Sequence, residues 1–507
     1  MMIKSCLLAL LICVSTMFTV LANAGDEALL GPAVQDPSAS YVIENSQVNA
    51  QDVFSRGYAL FKEDQWQEAS DHFLRFIELT DEDEKNFEWA EFFMGISLDK
   101  LGLTHGAMDR LSNLAARKPN TRIVSYILEM FEQVSRRQPF DFDQIILQVV
   151  NDKDYGFIND EISGFVHFYQ GMQDWKSHHM TWANDHFSKI PKGSYYHRRV
   201  LHYLALDKLH NGNESSAVKE LKALLLLDNL DEKLADDTRW ILARIYYQLE
   251  EWSLASAMYK QIKTPVIEQA SFLLEQSWIA YQKKNYERAM GYLYAFEAPS
   301  FKQFFTPEYF ILKSLIYKDV CHFESALSIS DEFVQRYEGS LQAIYDRKHA
   351  ADIESEELLY VILAKPDIMF QWNFIQALEL EKQELDDINY KDLKLHLQKV
   401  YTLKIAKTSF VLSELIDEEY EVRANALLEF EEASNLMRYE IGVDMYQSQA
   451  KLSYQNTKDT TDTTTGKQPE VVKYAFQKEY WNDELGHYKV SLPNKCQEFS
   501  QWELFFK

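Results

Sequence analysis

The apolar positions of this chain follow the period of an α-helix almost continuously from residue 51 onward. Apolar side chains recur three or four positions apart, so that they share one face of a helix. Polar and charged side chains occupy the positions between them. The pattern therefore predicts an all-α fold built from many helices.

An alanine recurs within this pattern at intervals of 34 to 38 residues, with one interval twice as long. These alanines are Ala69, Ala107, Ala183, Ala217, Ala255, Ala289 and Ala326. A small residue stands twelve positions before each of them: Gly57, Gly95, Gly171, Ala205, Ala243, Ser277 and Ser314. A large residue usually follows the alanine by four positions, although the last unit has Ser330 there. The double interval predicts a degenerate unit near Ile145.

This register resembles the tetratricopeptide repeat, in which Gly, Ala or Ser, then a large residue, then Ala, then Phe or Tyr, and then Pro stand at these offsets. The resemblance covers residues 51–340 and implies about seven to eight antiparallel helix pairs stacked into an α-solenoid. Helix A of each pair would carry the small residue and helix B the alanine. They would meet where the helix axes are about 8–10 Å apart, so we expect these residues to serve packing and not chemistry.

Beyond residue 340 the repeat register is lost, although residues 341–455 still have a helical pattern. Two long runs rich in leucine and charge, residues 374–407 and 411–437, predict a long antiparallel hairpin. Such a hairpin would brace the solenoid or bind a partner. Residues 456–470 are polar and of low complexity, which predicts a flexible linker.

Residues 471–507 are rich in aromatic and β-branched side chains, and we expect them to form a small extended tail that docks on the array. Its aromatic cluster needs a surface to cover it. The stretch EYWNDELGHYKV is similar to the C-terminal segment of repeat proteins in bacterial envelope machines, including gliding-motility complexes.

The N-terminal segment has one lysine, an apolar run and the small-x-small sequence Ala22-Asn23-Ala24. It predicts a signal peptide of residues 1–24, cleaved after Ala24, with residues 25–50 as a polar tether. An uncleaved anchor is the alternative. We expect an exported protein, located in a bacterial periplasm. The glycosylation acceptor Asn213-Glu214-Ser215 leaves a eukaryotic secretory setting open.

Two cysteines, Cys321 and Cys496, would remain after signal cleavage. In an oxidising compartment an even pair is a disulfide candidate, and such a bond would fasten the tail to the array. Two unrelated buried thiols are the alternative, because sequence does not show whether the geometry permits the bond.

The formal net charge of −26 disfavours nucleic acid as a partner, because phosphates would be repelled. The charge serves solubility or, as the alternative, offers an acidic surface to a basic partner. No segment after the signal is long and apolar enough to span a bilayer. With only 16 glycines and 11 prolines, the composition also favours long helices with short connections.

Residues with catalytic or metal-binding spacing are missing from the sequence. No phosphate-binding loop or nucleophile motif occurs, and we expect His178, His179 and His186 to be surface residues. We therefore predict no cofactor, no metal and no enzymatic activity. The resemblance implies groove positions on helix A: Phe168, Met172, Trp175, Arg244, Tyr247, Trp278 and Tyr281. Two alternatives stay open for these side chains: they bind a partner, or they pack against the next helix A or under the tail.

Together these features predict a periplasmic scaffold that holds other envelope proteins in a multiprotein complex. Aromatic residues with an arginine are typical of protein-binding hot spots. The alternative is a protein that binds peptidoglycan or another carbohydrate with the same aromatic side chains.

Overall fold

The computed structural model describes residues 49–117, 119–151, 155, 158–263, 269–301, 304–350, 355–455 and 486–496. The predicted signal peptide and linker lie outside these residues, as do most of the tether and most of the tail. The chain forms two compact units. Unit 1 comprises the described residues within 1–204 and 365–416, and unit 2 those within 205–364 and 417–507.

In chain order the helices are α1 (Ala50–Lys62), α2 (Trp66–Leu79), α3 (Phe87–Lys100), α4 (Thr104–Ala116), α5 (Thr121–Arg137), α6 (Asp160–Lys176), α7 (Met180–Ser188), α8 (Tyr195–His210), α9 (Glu214–Leu225), α10 (Glu232–Gln248), α11 (Trp252–Tyr259), α12 (Gln269–Gln282), α13 (Tyr286–Tyr294), α14 (Pro307–Asp319), α15 (Phe323–Tyr345), α16 (Glu356–Leu363), α17 (Pro366–Glu384) and α18 (Lys391–Gln455). The described residues contain no strand. The prediction of an all-α, tetratricopeptide-like array of helix pairs is confirmed.

The boundary between the units falls inside α8, after Leu204, and inside α18, after Ile416. The helix pairs of unit 1 are α1–α2, α3–α4 and α6–α7. The pairs of unit 2 are α10–α11, α12–α13 and α14–α15, preceded by the second half of α8 with α9. The degenerate unit expected near Ile145 is α5 followed by a π-helical segment, Asp143–Val150, in place of a regular helix B.

The turn from helix A to helix B is the same in every regular pair. The residue five positions before the recurring alanine has a left-handed backbone, with φ between 57° and 86°. These residues are Asp64, Gly102, His178, Gly212, Glu250, Lys284 and Cys321. The following N–H donates to a carbonyl in the last turn of helix A, as Glu251 does to Tyr246 at 2.8 Å. This bond pattern ends helix A and leaves room for helix B to return at once.

The alanines of the repeat register are completely buried: Ala69, Ala107, Ala183, Ala205, Ala217, Ala243, Ala255, Ala289 and Ala326. The glycines of helix A lie against the large residue that follows the alanine. A Cβ atom at Gly95 would lie 2.6 Å from Leu111, and one at Gly171 would lie 2.5 Å from Phe187. Side chains at these positions would therefore force the two helices apart.

Serine replaces glycine at this position in the last two pairs. The Ser277 hydroxyl donates to the carbonyl of Ala289 at 2.9 Å, and Ser314 donates to Ala326 at the same distance. Both serines are buried, so the hydroxyl needs this partner. Small size and a satisfied hydrogen bond together explain why serine fits here.

The predicted long hairpin has its turn at residues 385–390, between α17 and α18. Residues 374–407 and 411–437 do not form one arm each. The second run continues the end of the first within the 65-residue helix α18, and the shorter helix α17 is the other arm. No glycine or proline lies between Lys391 and Ile441, so nothing in the sequence ends the helix there.

Helix α18 contacts the repeats within each unit. In unit 1, Lys404 makes ion pairs with Asp109 at 3.0 Å and with Asp141 at 3.2 Å. In unit 2, Arg438 pairs with Asp331 at 2.8 Å, and Leu427 is completely buried in the apolar core of α12 to α15. Through these contacts α18 supports the repeats of each unit.

The described part of the tail, residues 486–496, packs along helix B of the sixth recognised pair. The Val490 N–H donates to the carbonyl of Glu287 at 3.1 Å, and Arg288 donates to the carbonyl of Tyr488 at 3.3 Å. Gly291 permits this approach, because a Cβ atom there would overlap the Tyr488 carbonyl. A side chain at Gly291 is therefore incompatible with the docked tail.

A disulfide joins Cys321, in the turn between α14 and α15, to Cys496 in the tail. The two Cα atoms lie 5.1 Å apart, and the bond closes a sequence separation of 175 residues. The Lys495 N–H also donates to the Val320 carbonyl at 3.1 Å. The end of the described tail is thus held by both covalent and hydrogen bonds.

Within the residues that the structure describes, no helix combines the length and the apolar character needed to cross a membrane.

Candidate functional site

A pocket of about 460 Å³ lies on the helix-A side of unit 2. It is formed by α10 and α12, with contributions from α11 and from the first turn of α14. Its lining residues are Arg244, Tyr247, Gln248, Tyr259, Glu275, Trp278, Ile279 and Glu308. We call it the helix-A pocket. Three of the seven predicted groove residues, Arg244, Tyr247 and Trp278, meet in it.

Glu275 is the best-satisfied charge of the helix-A pocket. Its carboxylate accepts from Trp240 Nε1 at 2.9 Å and from Arg244 Nη2 at 2.6 Å, and the Tyr259 hydroxyl also donates to it. The Arg244 guanidinium lies over the Trp240 ring, 4.4 Å from its centre. The arginine is therefore held between a carboxylate and an aromatic ring, and its charge is balanced by Glu275.

Glu308 has a different environment, although it lines the same pocket. It is half-buried and accepts one hydrogen bond, from Trp278 Nε1 at 2.7 Å. Burial raises the pKa of Glu308, the Trp278 hydrogen bond opposes that rise, and the negative charge of Glu275 adds to it. Among the described residues, no lysine or arginine forms an ion pair with Glu308, so its charge is left without a counter-charge.

Tyr281, another predicted groove residue, lies next to the pocket on α12. Its ring packs edge-on against Trp278, with centroids 5.8 Å apart. Its hydroxyl donates to Asp319 at 2.8 Å, and Tyr286 donates to the same carboxylate at 3.3 Å. Burial, together with the Asp319 hydrogen bond, raises the pKa of Tyr281, so it remains a neutral donor. These bonds fix the wall beside the pocket.

The remaining predicted groove residues lie on α6 in unit 1. Phe168 is only 7% exposed, because its ring packs against Tyr169, Tyr196 and Tyr203. It is therefore part of the interior and not an open groove surface. Met172 and Trp175 are half-buried. The next helix A carries bulky tyrosines, which the offset rule does not take into account.

The carboxylates of the site were missed by sequence reasoning. Glu275 and Glu308 are two of 78 acidic residues, and neither stands in a motif. Glu308 had one local signal: it follows Pro307 at the start of α14, where an acidic residue suits the helix N-terminus. That signal predicts helix stability and gives no reason to expect a pocket.

The docked tail lies on another face of these repeats. It lines a separate cavity of about 400 Å³ with Met290, Tyr294 and Tyr317. In that cavity Lys313 is buried and donates to Tyr309 at 2.6 Å and to Glu297 at 3.1 Å. None of the described tail residues lines the helix-A pocket.

Two histidines lie side by side on α6 and α7. The rings of His167 and His186 face each other with Nδ1 atoms 3.0 Å apart, and His186 Nε2 lies 3.7 Å from Asp174. Among the described residues, no group of three histidine, cysteine or acidic side chains is arranged to hold a metal ion.

No protein-family model matches the chain, and no curated protein matches it. Among solved structures the chain is similar to a tetratricopeptide repeat protein from Parabacteroides merdae, with 13% identity over 48% of this chain and 91% of that chain and a TM-score of 0.27. It is also similar to a Rap protein complexed with competence and sporulation factor, with 13% identity over 72% and 99% of the two chains and a TM-score of 0.25.

A further similar structure is the TPR2AB domain of yeast Sti1 in its complex with pHSP90, with 14% identity over 59% and 94% of the two chains and a TM-score of 0.20. All three TM-scores are below 0.5. The helix pairs of this chain themselves establish its fold.

Proposed function

We propose that this protein is a scaffold that binds a segment of another protein in the helix-A pocket of unit 2. The observation that carries the proposal is the convergence of Arg244, Tyr247 and Trp278 on one open pocket. Tyrosine, tryptophan and arginine are the side chains that contribute most to protein–protein binding. The partner would be a protein of the same compartment.

We further propose that this compartment is the bacterial periplasm and that the partners are envelope proteins. The predicted signal peptide motivates this location, and the disulfide between Cys321 and Cys496 supports it, because such bonds persist in oxidising compartments. Mass measurement of the protein recovered from a periplasmic fraction tests the location. A mature chain that begins at Gly25 is expected, and a chain retaining residues 1–24 in the cytoplasm would contradict it.

Photo-crosslinking in cells tests the binding proposal. A photoreactive residue placed at Tyr247 should capture a discrete partner protein, whereas the same residue at Leu226, which is 84% exposed and outside the pocket, should not. The capture at Tyr247 should be lost when Trp278→Ala is added. Equal capture at both positions would contradict the proposal.

The carbohydrate alternative is separated by sedimentation with purified cell-wall sacculi. A scaffold for proteins is expected to remain in the supernatant. Sedimentation that Trp278→Ala abolishes would favour binding of peptidoglycan in this pocket.

A further inference from the structure

The charges of the helix-A pocket do not cancel. Among the described residues, Arg244 is the one cationic residue that lines it. Two donor atoms of its guanidinium, Nε at 3.1 Å and Nη2 at 2.6 Å, point to the same oxygen of Glu275. That pair is therefore neutral as a unit. Glu308 remains as a second carboxylate with one neutral donor, the Trp278 indole. The lining of the pocket thus holds two carboxyl groups against one guanidinium, an excess of acidic groups.

A half-buried carboxylate without a counter-charge is unfavourable, since its hydration is reduced and, among the described residues, a single neutral N–H donates to it. The raised pKa of Glu308 reflects this cost: burial raises it most, and repulsion by the nearby Glu275 carboxylate raises it further. A cation that entered the pocket would lower the cost by forming a charge-assisted hydrogen bond. An anion would meet two carboxylates and an arginine that is already paired.

The walls of the pocket suit the stem of a long cationic side chain. Tyr247, Tyr259 and Trp278 line it together with Ile279. Lysine and arginine place their methylene groups along such apolar surfaces while the charged end reaches a polar partner. Aromatic rings also attract cations, as the packing of Arg244 on Trp240 shows within this same region.

We propose that the helix-A pocket binds the side chain of a lysine or arginine from a basic segment of the partner protein, with Glu308 accepting its hydrogen bond. This inference rests on the proposed function and names the chemistry of the partner. Tyr247 and Trp278 would pack along the stem of the bound side chain. The net charge of −26 would also favour approach of a basic segment.

The test uses the full chain and two labelled nonapeptides, one of alternating serine and lysine and one in which every lysine is acetylated. We expect the lysine peptide to bind at least about tenfold more tightly than the acetylated peptide in fluorescence anisotropy at physiological salt. Glu308→Gln should weaken binding of the lysine peptide at least about fivefold. Gln keeps an acceptor for Trp278, so the fold is retained.

Glu338→Gln is the matched control, because Glu338 is exposed on α15 and its replacement removes the same charge. It should leave the affinity unchanged. Equal losses in Glu308→Gln and Glu338→Gln would show attraction to the acidic surface in general and overturn the proposal. Equal or absent binding of the two peptides would also overturn it.

Failure of this proposal is distinguishable from failure of the proposed function. If the crosslinker at Tyr247 still captures its partner and Glu308→Gln has no effect on capture, the pocket binds a protein through other groups. If no partner is captured, the protein-binding proposal itself is contradicted.

Discussion

Glu381 in unit 1 and Glu308 in unit 2 are buried to different extents, and burial raises the pKa of both carboxyls. Their surroundings differ in the number of donors. Glu381 accepts the N–H of His105 at 2.9 Å, the N–H of Gly106 at 3.4 Å and the Tyr401 hydroxyl at 2.6 Å. Within the part of the chain that the structure describes, Glu308 accepts from Trp278 alone.

The donors of Glu381 identify its role. Helix α4 begins after Leu103, whose side chain cannot accept a hydrogen bond from the first turn. Glu381, from α17, accepts the N–H groups that a serine or aspartate at this position would accept. It is therefore an N-cap supplied from a distant part of the sequence, and it connects α17 to the repeats of unit 1.

A raised pKa thus does not by itself indicate a functional carboxylate. The carboxylate surrounded by donors of its own chain serves structure, whereas the one with a single donor and an open pocket is available to a ligand. Variants of Glu381, Tyr401 and Glu308 test this distinction, and a variant of Ala255 tests the packing of the repeats that form the pocket.

Replacement of Glu381 should give the largest effect. Glu381→Ala leaves two backbone N–H groups and the Tyr401 hydroxyl buried without an acceptor, so we expect a loss of about 4 kcal/mol in the free energy of unfolding. Urea denaturation followed by circular dichroism measures it. A loss below about 1 kcal/mol would contradict the capping role.

The pH dependence of stability separates Glu381 from its neighbours. Burial raises its pKa from 4.5 to about 7, against the opposing effect of its hydrogen bonds. Because the folded protein binds this proton more tightly, Glu381 favours folding below pH 4.5, and that contribution is lost as the pH rises to about 7. The stability of the unmodified protein relative to Glu381→Gln should therefore fall over this range by about 3 kcal/mol.

The comparison with Glu381→Gln is needed because the nearby His105 changes stability with pH in the opposite direction. Burial, with the charge of Lys404, lowers the pKa of His105 from 6.5 to about 4, so its contribution to stability rises with pH over that interval. His105 is present in both proteins, so the comparison removes most of its contribution, although its Nε2 lies 3.9 Å from Glu381 Oε1. A difference that stays flat between pH 4.5 and 7 would show that Glu381 does not titrate as described.

Helices α10 and α11, which line the helix-A pocket, pack around Ala255, and this alanine is completely buried. Ala255→Leu adds three carbons where α10 and α11 approach most closely, so we expect a loss of about 2–3 kcal/mol. Ala223→Leu, on the exposed side of α9, is the control and should change stability by less than about 0.5 kcal/mol. Equal stabilities of the two variants would contradict the packing role.

Tyr401→Phe removes one donor of Glu381 and leaves its backbone donors in place. The hydroxyl also accepts the Gly106 N–H at 3.2 Å. We expect a loss of about 1 kcal/mol, clearly smaller than that of Glu381→Ala. If the two variants lose the same stability, the contacts of Glu381 with the backbone of α4 contribute little.

Glu308→Gln should give the smallest effect on stability, within about 0.5 kcal/mol, because no structural partner depends on its charge. Thermal unfolding of the variant and of the unmodified protein under the same conditions measures this difference. A loss as large as that of Glu381→Ala would place Glu308 among the structural carboxylates and remove the distinction between the two residues.

The sequence by itself determined the repeat. Small residues at two fixed positions per unit specify where helices A and B cross, because only small side chains permit axes this close. The register of Ala69 to Ala326 therefore gives the helix pairs and their order. The helical period likewise predicted long helices beyond residue 340, since local propensity and apolar spacing act over a few residues.

Only the tertiary structure decided which polar groups meet. Glu381 and Gly106 are 275 residues apart, and the partnership of Trp278 with Glu308 crosses from one repeat to the next. A hydrogen bond forms only when donor and acceptor lie within a few tenths of an ångström of their ideal separation, and no spacing in the sequence encodes such a position. The burial of Phe168 was decided in the same way, by tyrosines on the following helix. Repetition is a local property, whereas a binding pocket depends on which side chains remain without a partner after the repeats have packed.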